Sequence, residues 1–87
     1  MYVVVVYDTA VERNPHILRT CRQYLHHVQR SVFEGSLSPA QVKRFKAAVE
    51  KAIDQSYDSV LVYTFPPGTT PVRESWGTSQ AAPSDIL

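Results

Sequence analysis

The sequence begins with MYVVVVYD, residues 1–8, in which an unbroken apolar and aromatic run ends on a carboxylate. Its four valines are β-branched, and an apolar run without polar alternation is typical of a strand covered on both faces. We therefore predict a central strand over residues 1–7. Because central strands of α/β-type sheets end in loops that often hold ligands, Asp8 is a candidate for catalysis or metal binding. Capping a turn is the plainer role for an aspartate at this position.

The 87-residue chain is long enough for one small domain. A domain of this size buries only about 60 to 65 per cent of its unfolded surface, so we expect a partner subunit to stabilise it. The net charge is +1, so any nucleic-acid surface must be a local patch. The only cysteine, Cys21, excludes an internal disulfide and has the apolar helical neighbours of a core thiol. No apolar run approaches the ~20 residues of a membrane span, and the start lacks a basic leader, so we expect a cytoplasmic protein without membrane contact.

The residues after Asp8 predict a first helix. Asn14 and Pro15 form its start, with Asn as the N-cap and Pro at the first helical position. The apolar stripe that follows has a 3.6-residue period and consists of Ile17, Leu18, Cys21, Tyr24, Leu25 and Val28. On this helix the side chains of His26 and His27 would diverge by about 100°, so we interpret neither as a metal ligand.

A β-rich segment and a second helix come next. Residues 28–37 predict one bent strand or two short ones, with Gly35 as the only turn residue. Ser38 and Gln41 then form a capping box at the start of an amphipathic helix. The polar side of this helix carries several Lys and Arg residues, which are most simply a solvated surface.

The last part of the chain predicts one more strand and a tail. Residues 59–65 have the composition of a buried strand, entered through Asp58. Residues 72–77 are the candidate for an additional strand. Residues 78–87 are polar and rich in Ala, Pro and Ser, as in a flexible or partner-bound tail.

The order strand, helix, strand pair, helix, strand predicts an α+β ferredoxin-like sandwich, βαββαβ, over residues 1–77. Its antiparallel sheet carries both helices on one face. Because the valine run has no polar side, the other face needs a cover, and a second copy of the chain would supply it. We therefore predict a homodimer through that face. In this fold Asp58 lies at the same sheet edge as Asp8. We interpret it as a helix-to-strand linker residue, with a supporting role beside Asp8 as the alternative.

Two segments resemble the CRISPR-associated Cas2 family: the apolar strand that ends in Tyr7 and Asp8, and residues 28–35, VQRSVFEG. The resemblance covers residues 1–65 in order and spacing, and the second segment is far more specific than a lone aspartate. It implies a ferredoxin-like fold and a homodimer with sheets packed face to face. It also implies a carboxy-terminal strand that crosses to the partner's sheet, for which residues 72–77 are the candidate.

The resemblance implies a nuclease. Some family members cleave phosphodiester bonds of RNA or DNA with Mg²⁺ or Mn²⁺, which implies that Asp8 is the catalytic residue and metal ligand. The implied supporting residues are Tyr7, Ser31 and Phe33. Since Mg²⁺ takes one or two carboxylates, two Asp8 side chains related by the dimer axis would make a better site than one. No general base is evident.

The alternative that the resemblance implies is a non-catalytic dimeric scaffold that bridges Cas1 integrase subunits during spacer acquisition and binds the backbone of a prespacer duplex. The candidates for backbone contacts are Arg13, Arg19, Arg22, Arg30, Lys43 and Arg44. With a net charge of +1, duplex binding by the dimer alone should be weak and salt-sensitive. An RNA-recognition module lacks its aromatic third-strand signature here, and a small-molecule sensor would need a glycine-rich loop.

Overall fold

The computed structural model describes residues 1–77. Its elements in chain order are β1 (Tyr2–Asp8), a 3₁₀ turn (Val11–Arg13), α1 (Asn14–Tyr24), β2 (His26–Gln29), β3 (Val32–Ser36), α2 (Pro39–Ala52) and β4 (Ser59–Phe65). The strands form one antiparallel sheet in the order β2-β3-β1-β4. This confirms the predicted ferredoxin-like arrangement.

β1 lies in the middle of the sheet, and its two faces differ. Val3, Val5 and Tyr7 belong to the hydrophobic core beneath the helices, where Val5 is 0% exposed. Val4 and Val6 point to the other face and are only half-buried. In the single chain the valine run is therefore covered on one side, and a cover for the other side remains a prediction. We call that uncovered side the open face.

The core also contains the cysteine. Cys21 is fully buried with Ile17 and Phe33. Burial raises the pKa of the Cys21 thiol to about 12, because the thiolate would lose its hydration. A thiol of this kind is inert, as expected for a core residue.

The first helix begins and ends differently from the prediction. Its N-cap is Arg13, without a side-chain hydrogen bond, and Asn14 is already helical. The Asn14 side chain instead accepts a hydrogen bond from the Thr9 hydroxyl at 2.5 Å. The helix stops before Leu25, whose backbone is extended (φ −133°, ψ 166°). Val28, which continues the helical spacing in the sequence, is in β2.

The β-rich segment is a hairpin of two short strands, β2 and β3. Its turn contains Arg30, which has a positive φ of 44°. Gly35, expected to be the turn residue, lies inside β3. A Cβ at Gly35 would approach the Leu25 side chain to 3.2 Å, so the glycine serves close packing and not chain reversal.

The second helix agrees with the prediction, whereas the last strand agrees in its bounds but not in its predicted burial. The Ser38 hydroxyl accepts a hydrogen bond from the Gln41 backbone N–H at 3.1 Å, and the Gln41 side chain accepts one from the Ser38 N–H at 2.8 Å. This is a complete capping box at the start of α2. β4 has the predicted bounds, Ser59–Phe65, but it is not the buried strand that its composition predicted. It lies at the edge of the sheet, where β1 alone among the strands of residues 1–77 pairs with it, and Leu61, Val62 and Tyr63 are 53%, 48% and 54% exposed.

The segment after β4 crosses the sheet without forming a strand. Residues 72–77 have no regular structure in the single chain, so the additional strand is not present there. Arg73 donates a hydrogen bond to Glu34 on the open face at 3.0 Å. Crossing to a partner's sheet remains a prediction, and the tail proposed for residues 78–87 lies outside the described residues. Neither helix within residues 1–77 has the length and apolarity needed to span a membrane.

Candidate functional site

Asp8 is exposed at the end of β1. It pairs with Ser59 at the start of β4, while Val6 pairs with Leu61 and Val4 with Tyr63. Because side chains alternate along a strand, Asp8 lies on the open face together with these apolar residues. The structure therefore places the candidate carboxylate at the rim of an uncovered apolar surface.

The loop that follows Asp8 is held by a buried carboxylate from a distant part of the chain. The Asp58 side chain is 0% exposed. It accepts hydrogen bonds from the backbone N–H groups of Ala10 at 2.9 Å and Asp54 at 2.8 Å. It also accepts two from the Arg13 guanidinium, at 2.5 and 3.0 Å. Asp58 thus joins the β1–α1 loop to the loop before β4.

This contact gives Asp58 a larger role than the linker predicted from the sequence. The hydrogen bonds from Arg13 hold the pKa of the Asp58 carboxyl well below its usual range, because they favour the charged form. Arg13 in turn lies over the Tyr57 ring, 5.8 Å from its centroid. The guanidinium of Arg13, a candidate for backbone contacts, is therefore engaged in organising the loop next to Asp8.

The β2–β3 turn lies on the other side of Asp8. The Tyr7 N–H donates a hydrogen bond to the Ser31 carbonyl at 3.1 Å, which ties the turn to β1. The His27 ring nitrogen Nε2 is 2.6 Å from the Arg30 carbonyl oxygen. A groove beside these contacts is lined by Asp8, Thr9, Asn14, His27, Arg30 and Ser31, among others.

The predicted supporting residues differ in accessibility. Phe33 is 0% exposed and Tyr7 is 8% exposed, and their rings stack with centroids 6.2 Å apart. Burial also raises the pKa of the Tyr7 hydroxyl. Both rings pack in the core below the site, whereas Ser31 is partly exposed and lines the groove. Of the three, Ser31 is placed to meet a ligand.

His27 was not identified from the sequence as part of the site. The sequence predicts it on a helix, but it lies on β2, where it and His26 point to opposite faces. Its ring stacks on Phe33 with centroids 4.5 Å apart and an angle of 12°. The β-forming character of residues 28–37 was the only sequence signal for a strand here, and it does not single out His27.

The other candidate basic residues separate into two places. The exposed ones on the helix layer, opposite the open face, are Arg19 and Arg22 of α1 and Lys43 and Arg44 of α2. Arg30 is exposed on the β2–β3 turn and lines the same groove as Asp8. The structure therefore brings Arg30 to the candidate site and leaves the four helix residues away from it.

The possible metal-ligating side chains can be compared with the coordination that a divalent cation requires. Residues 1–77 contain no group of three or more His, Cys, Asp or Glu side chains that could hold a metal ion. Mg²⁺ keeps several water ligands and is commonly held by one or two carboxylates, so Asp8 fits as one ligand of such a site. A second Asp8 from another chain would supply a second carboxylate of the same kind.

Comparison with known proteins agrees with this geometry. The family model described as CRISPR associated protein Cas2 matches residues 1–69. The chain is similar to the CRISPR-associated endoribonuclease Cas2 of Frankia alni, with 60% identity over 72% of each chain. It is also similar to the CRISPR-associated endoribonuclease Cas2 of Thermococcus kodakarensis, with 41% identity over the full length of both.

The chain is also similar to solved structures of Cas2 proteins. A crystal structure of Cas2 superposes with a TM-score of 0.82 and 36% identity, covering 94% of this chain and 92% of that one. The crystal structure of Streptococcus pyogenes Cas2 at pH 6.5 gives a TM-score of 0.70 and 34% identity, covering 78% and 89%. From its strand order, its sequence and these likenesses, the chain belongs to the CRISPR-associated Cas2 family.

Proposed function

We propose that this protein is a divalent-metal nuclease that cleaves phosphodiester bonds at a site formed by Asp8 from two chains of a homodimer. The observation that carries the proposal is the position of Asp8 on the open face, in line with Val4 and Val6. If two open faces pack together, two Asp8 carboxylates reach one interface. The names of the similar proteins, CRISPR-associated endoribonucleases, favour RNA as the substrate.

The apolar character of the open face supports a dimer. Leu61 and Tyr63 of β4 are 53% and 54% exposed, and they flank the half-buried Val4 and Val6 of β1. A contiguous apolar patch of this kind marks a protein contact site. Because a two-fold contact is self-complementary, a second copy of the same face is the simplest cover.

The metal, Mg²⁺ or Mn²⁺, would be held by the paired Asp8 carboxylates and completed by water. When bound, such an ion lowers the pKa of a bound water and neutralises charge on the phosphate. Two unliganded carboxylates in one interface would repel each other, so cation binding and ionisation of Asp8 should be coupled. The Asp58–Arg13 pair would keep the following loop in place around this site.

The test is cleavage of RNA and DNA by Asp8→Asn in the presence of Mg²⁺ or Mn²⁺. Loss of a metal ligand should lower the rate by at least about a hundredfold while the dimer is preserved. Glu12→Gln is the matched control, since it neutralises another exposed carboxylate, in the 3₁₀ turn that follows Asp8. Cleavage by Asp8→Asn at the wild-type rate, or cleavage unaffected by EDTA, would contradict the proposal.

A second candidate function is the non-catalytic scaffold for Cas1 and prespacer DNA. The specific observation in its favour is the exposed basic set on the helix layer, which lies on the opposite side of the sheet from Asp8. Spacer acquisition in cells distinguishes the two functions. Acquisition that survives Asp8→Ala but fails when the helix residues Arg19, Arg22, Lys43 and Arg44 are neutralised would favour the scaffold.

A further inference from the structure

The turn between β2 and β3 has an unusual backbone. Arg30 is the only non-glycine residue with a positive φ among residues 1–77. This region of φ and ψ is disfavoured for a residue with a Cβ, and turns that need it usually use Gly, Asn or Asp. Such an outlier persists where surrounding contacts impose it, commonly at functional sites. Chain reversal alone would be achieved more easily with Gly, Asn or Asp, so the arginine at this position has another role.

The surrounding contacts hold Arg30 from two sides. A carbonyl oxygen can only accept, so the His27 Nε2–H donates to the Arg30 carbonyl at 2.6 Å. The His27 ring is itself stacked flat on the fully buried Phe33. On the other side, the Tyr7 N–H donates to the carbonyl of Ser31, the next residue of the turn. The turn is thus fixed to the core through His27 and to the strand of Asp8 through Tyr7.

The guanidinium of Arg30 is available to a ligand. Arg30 is exposed and forms no salt bridge with any other residue in the range 1–77. Arg13, by contrast, is bound by Asp58. Arg30 lines the groove that also contains Asp8 and Ser31. A planar guanidinium beside a hydroxyl suits the oxygens of a phosphodiester, which it can bind through two parallel hydrogen bonds.

We propose that Arg30 binds a backbone phosphate of the nucleic-acid strand at the Asp8 site, and that His27 is its positioning residue. The inference rests on the proposed nuclease function for the identity of the ligand. His27 acts only through the backbone of Arg30. Arg30 contacts the phosphate directly and holds the strand in the groove next to the metal-binding carboxylate.

The first experiment measures binding without cleavage. A fluorescent single-stranded RNA and a duplex DNA of the same sequence are titrated with the Asp8→Asn protein, without metal, at several salt concentrations. Arg30→Asn in this background removes the charge but keeps a residue that tolerates positive φ. We expect it to weaken binding about tenfold and to reduce the salt slope by about one, as for loss of a phosphate contact. Lys51→Gln, which removes an exposed charge from the last turn of α2 that belongs to no proposed contact, should change binding less than about twofold.

The second experiment tests the positioning role with a double-mutant cycle. His27→Phe keeps an aromatic ring for stacking on Phe33 but loses the N–H donor, whereas His27→Gln keeps a donor. We expect His27→Phe to weaken binding when Arg30 is present. It should have no further effect in the Arg30→Asn protein, because both substitutions remove the same contact, that between Arg30 and the phosphate. His27→Gln should recover part of the loss. A role in packing alone would give losses that add.

The outcomes separate this inference from the proposed nuclease. If neither probe binds, if Arg30→Asn binds as tightly as its parent, or if the two losses add fully, the Arg30–His27 inference is wrong. That holds even if cleavage depends on Asp8. If Asp8→Asn cleaves normally but Arg30 and His27 show the expected coupling, the nuclease proposal fails and the phosphate-binding site stands. The probe that is bound identifies RNA or DNA as the ligand.

Discussion

Replacing Leu61 with aspartate is expected to dissociate the proposed dimer. Leu61 is 53% exposed in the single chain and lies on the open face opposite Val6. Full burial of a leucine side chain is worth about 1.5–3 kcal/mol, so covering its remaining half contributes about 1 kcal/mol. A two-fold interface contains the residue twice, which gives about 2 kcal/mol, or about a 30-fold change in the dimer dissociation constant.

The aspartate itself should increase this effect. It would place a carboxylate in the interface, where desolvation is costly, and on the same face as Asp8. The 30-fold figure is therefore a lower bound. Val62→Asp is the matched control: Val62 is the next residue, is 48% exposed, and points to the helix side of the sheet.

Sedimentation equilibrium over a wide range of concentration measures the outcome. The wild type and Val62→Asp should have twice the 9.8 kDa mass of one chain, and Leu61→Asp should shift towards the monomer. Thermal unfolding of all three proteins checks that each one is folded. Equal dissociation constants for the two variants, or a wild type that stays monomeric at every concentration, would refute the assignment of the open face as the interface.

Three further outcomes are expected from the described contacts. Ser38→Ala should lower the free energy of unfolding by about 1 kcal/mol through loss of the capping box, as measured by urea denaturation, whereas the exposed Ser36→Ala should change it little. Phe33→Ala should cost about 3–5 kcal/mol because Phe33 is 0% exposed. Phe33→Leu should keep both fold and cleavage, and a folded Phe33→Leu protein without cleavage would show that the Phe33 ring does more than fill the core. The pKa of Asp58 is lowered in the folded state by the hydrogen bonds from Arg13, so its contribution to stability is present above the unfolded pKa and is lost as pH falls through the folded one. Denaturation midpoints measured from about pH 5 down to about pH 2 should therefore fall less steeply for Asp58→Asn than for the wild type, and equal slopes would contradict this assignment.

The elements that could be predicted from the sequence are those with local signals. The capping box at Ser38 determines where α2 begins, and the β-branched and aromatic run of β4 determines its bounds. In both cases residues a few positions apart carry the information. The order of such elements was enough to predict the ferredoxin-like sheet, because few topologies accommodate a chain this short.

The predictions from the sequence are wrong where a contact between residues distant in the sequence determines the local structure. The apolar spacing of α1 continues through Leu25 to Val28 without a Gly or Pro to stop it, yet the chain leaves the helix because β2 pairs with β3. Gly35 was predicted as a turn residue because it is the only glycine in that segment. Its actual role depends on the Leu25 side chain, which packs against it from the preceding loop.

The candidate site likewise contains one residue that the sequence identifies and several whose roles depend on long-range contacts. Asp8 could be identified from its place after a central strand and from the resemblance to Cas2 proteins. The groups that organise its surroundings could not, because Asp58 is 50 positions away in the sequence and its buried carboxylate reaches Ala10 only in the folded chain. His27 carries no sequence signal of its own, because the apolar spacing that runs through Val28 assigns it to the first helix and not to β2.

These long-range contacts explain how one aspartate per chain could support a specific site. Within residues 1–77 Asp8 belongs to no group of three or more His, Cys, Asp or Glu side chains that could fix a cation, so the geometry of the site depends on what surrounds Asp8. On one side the Asp58–Arg13 pair holds the following loop, and on the other the bond from Tyr7 to Ser31 holds the β2–β3 turn. Both contacts form within the single chain, before any partner binds. Dimer formation therefore needs to order neither the β1–α1 loop nor the β2–β3 turn of each chain, so it loses little conformational entropy at these loops.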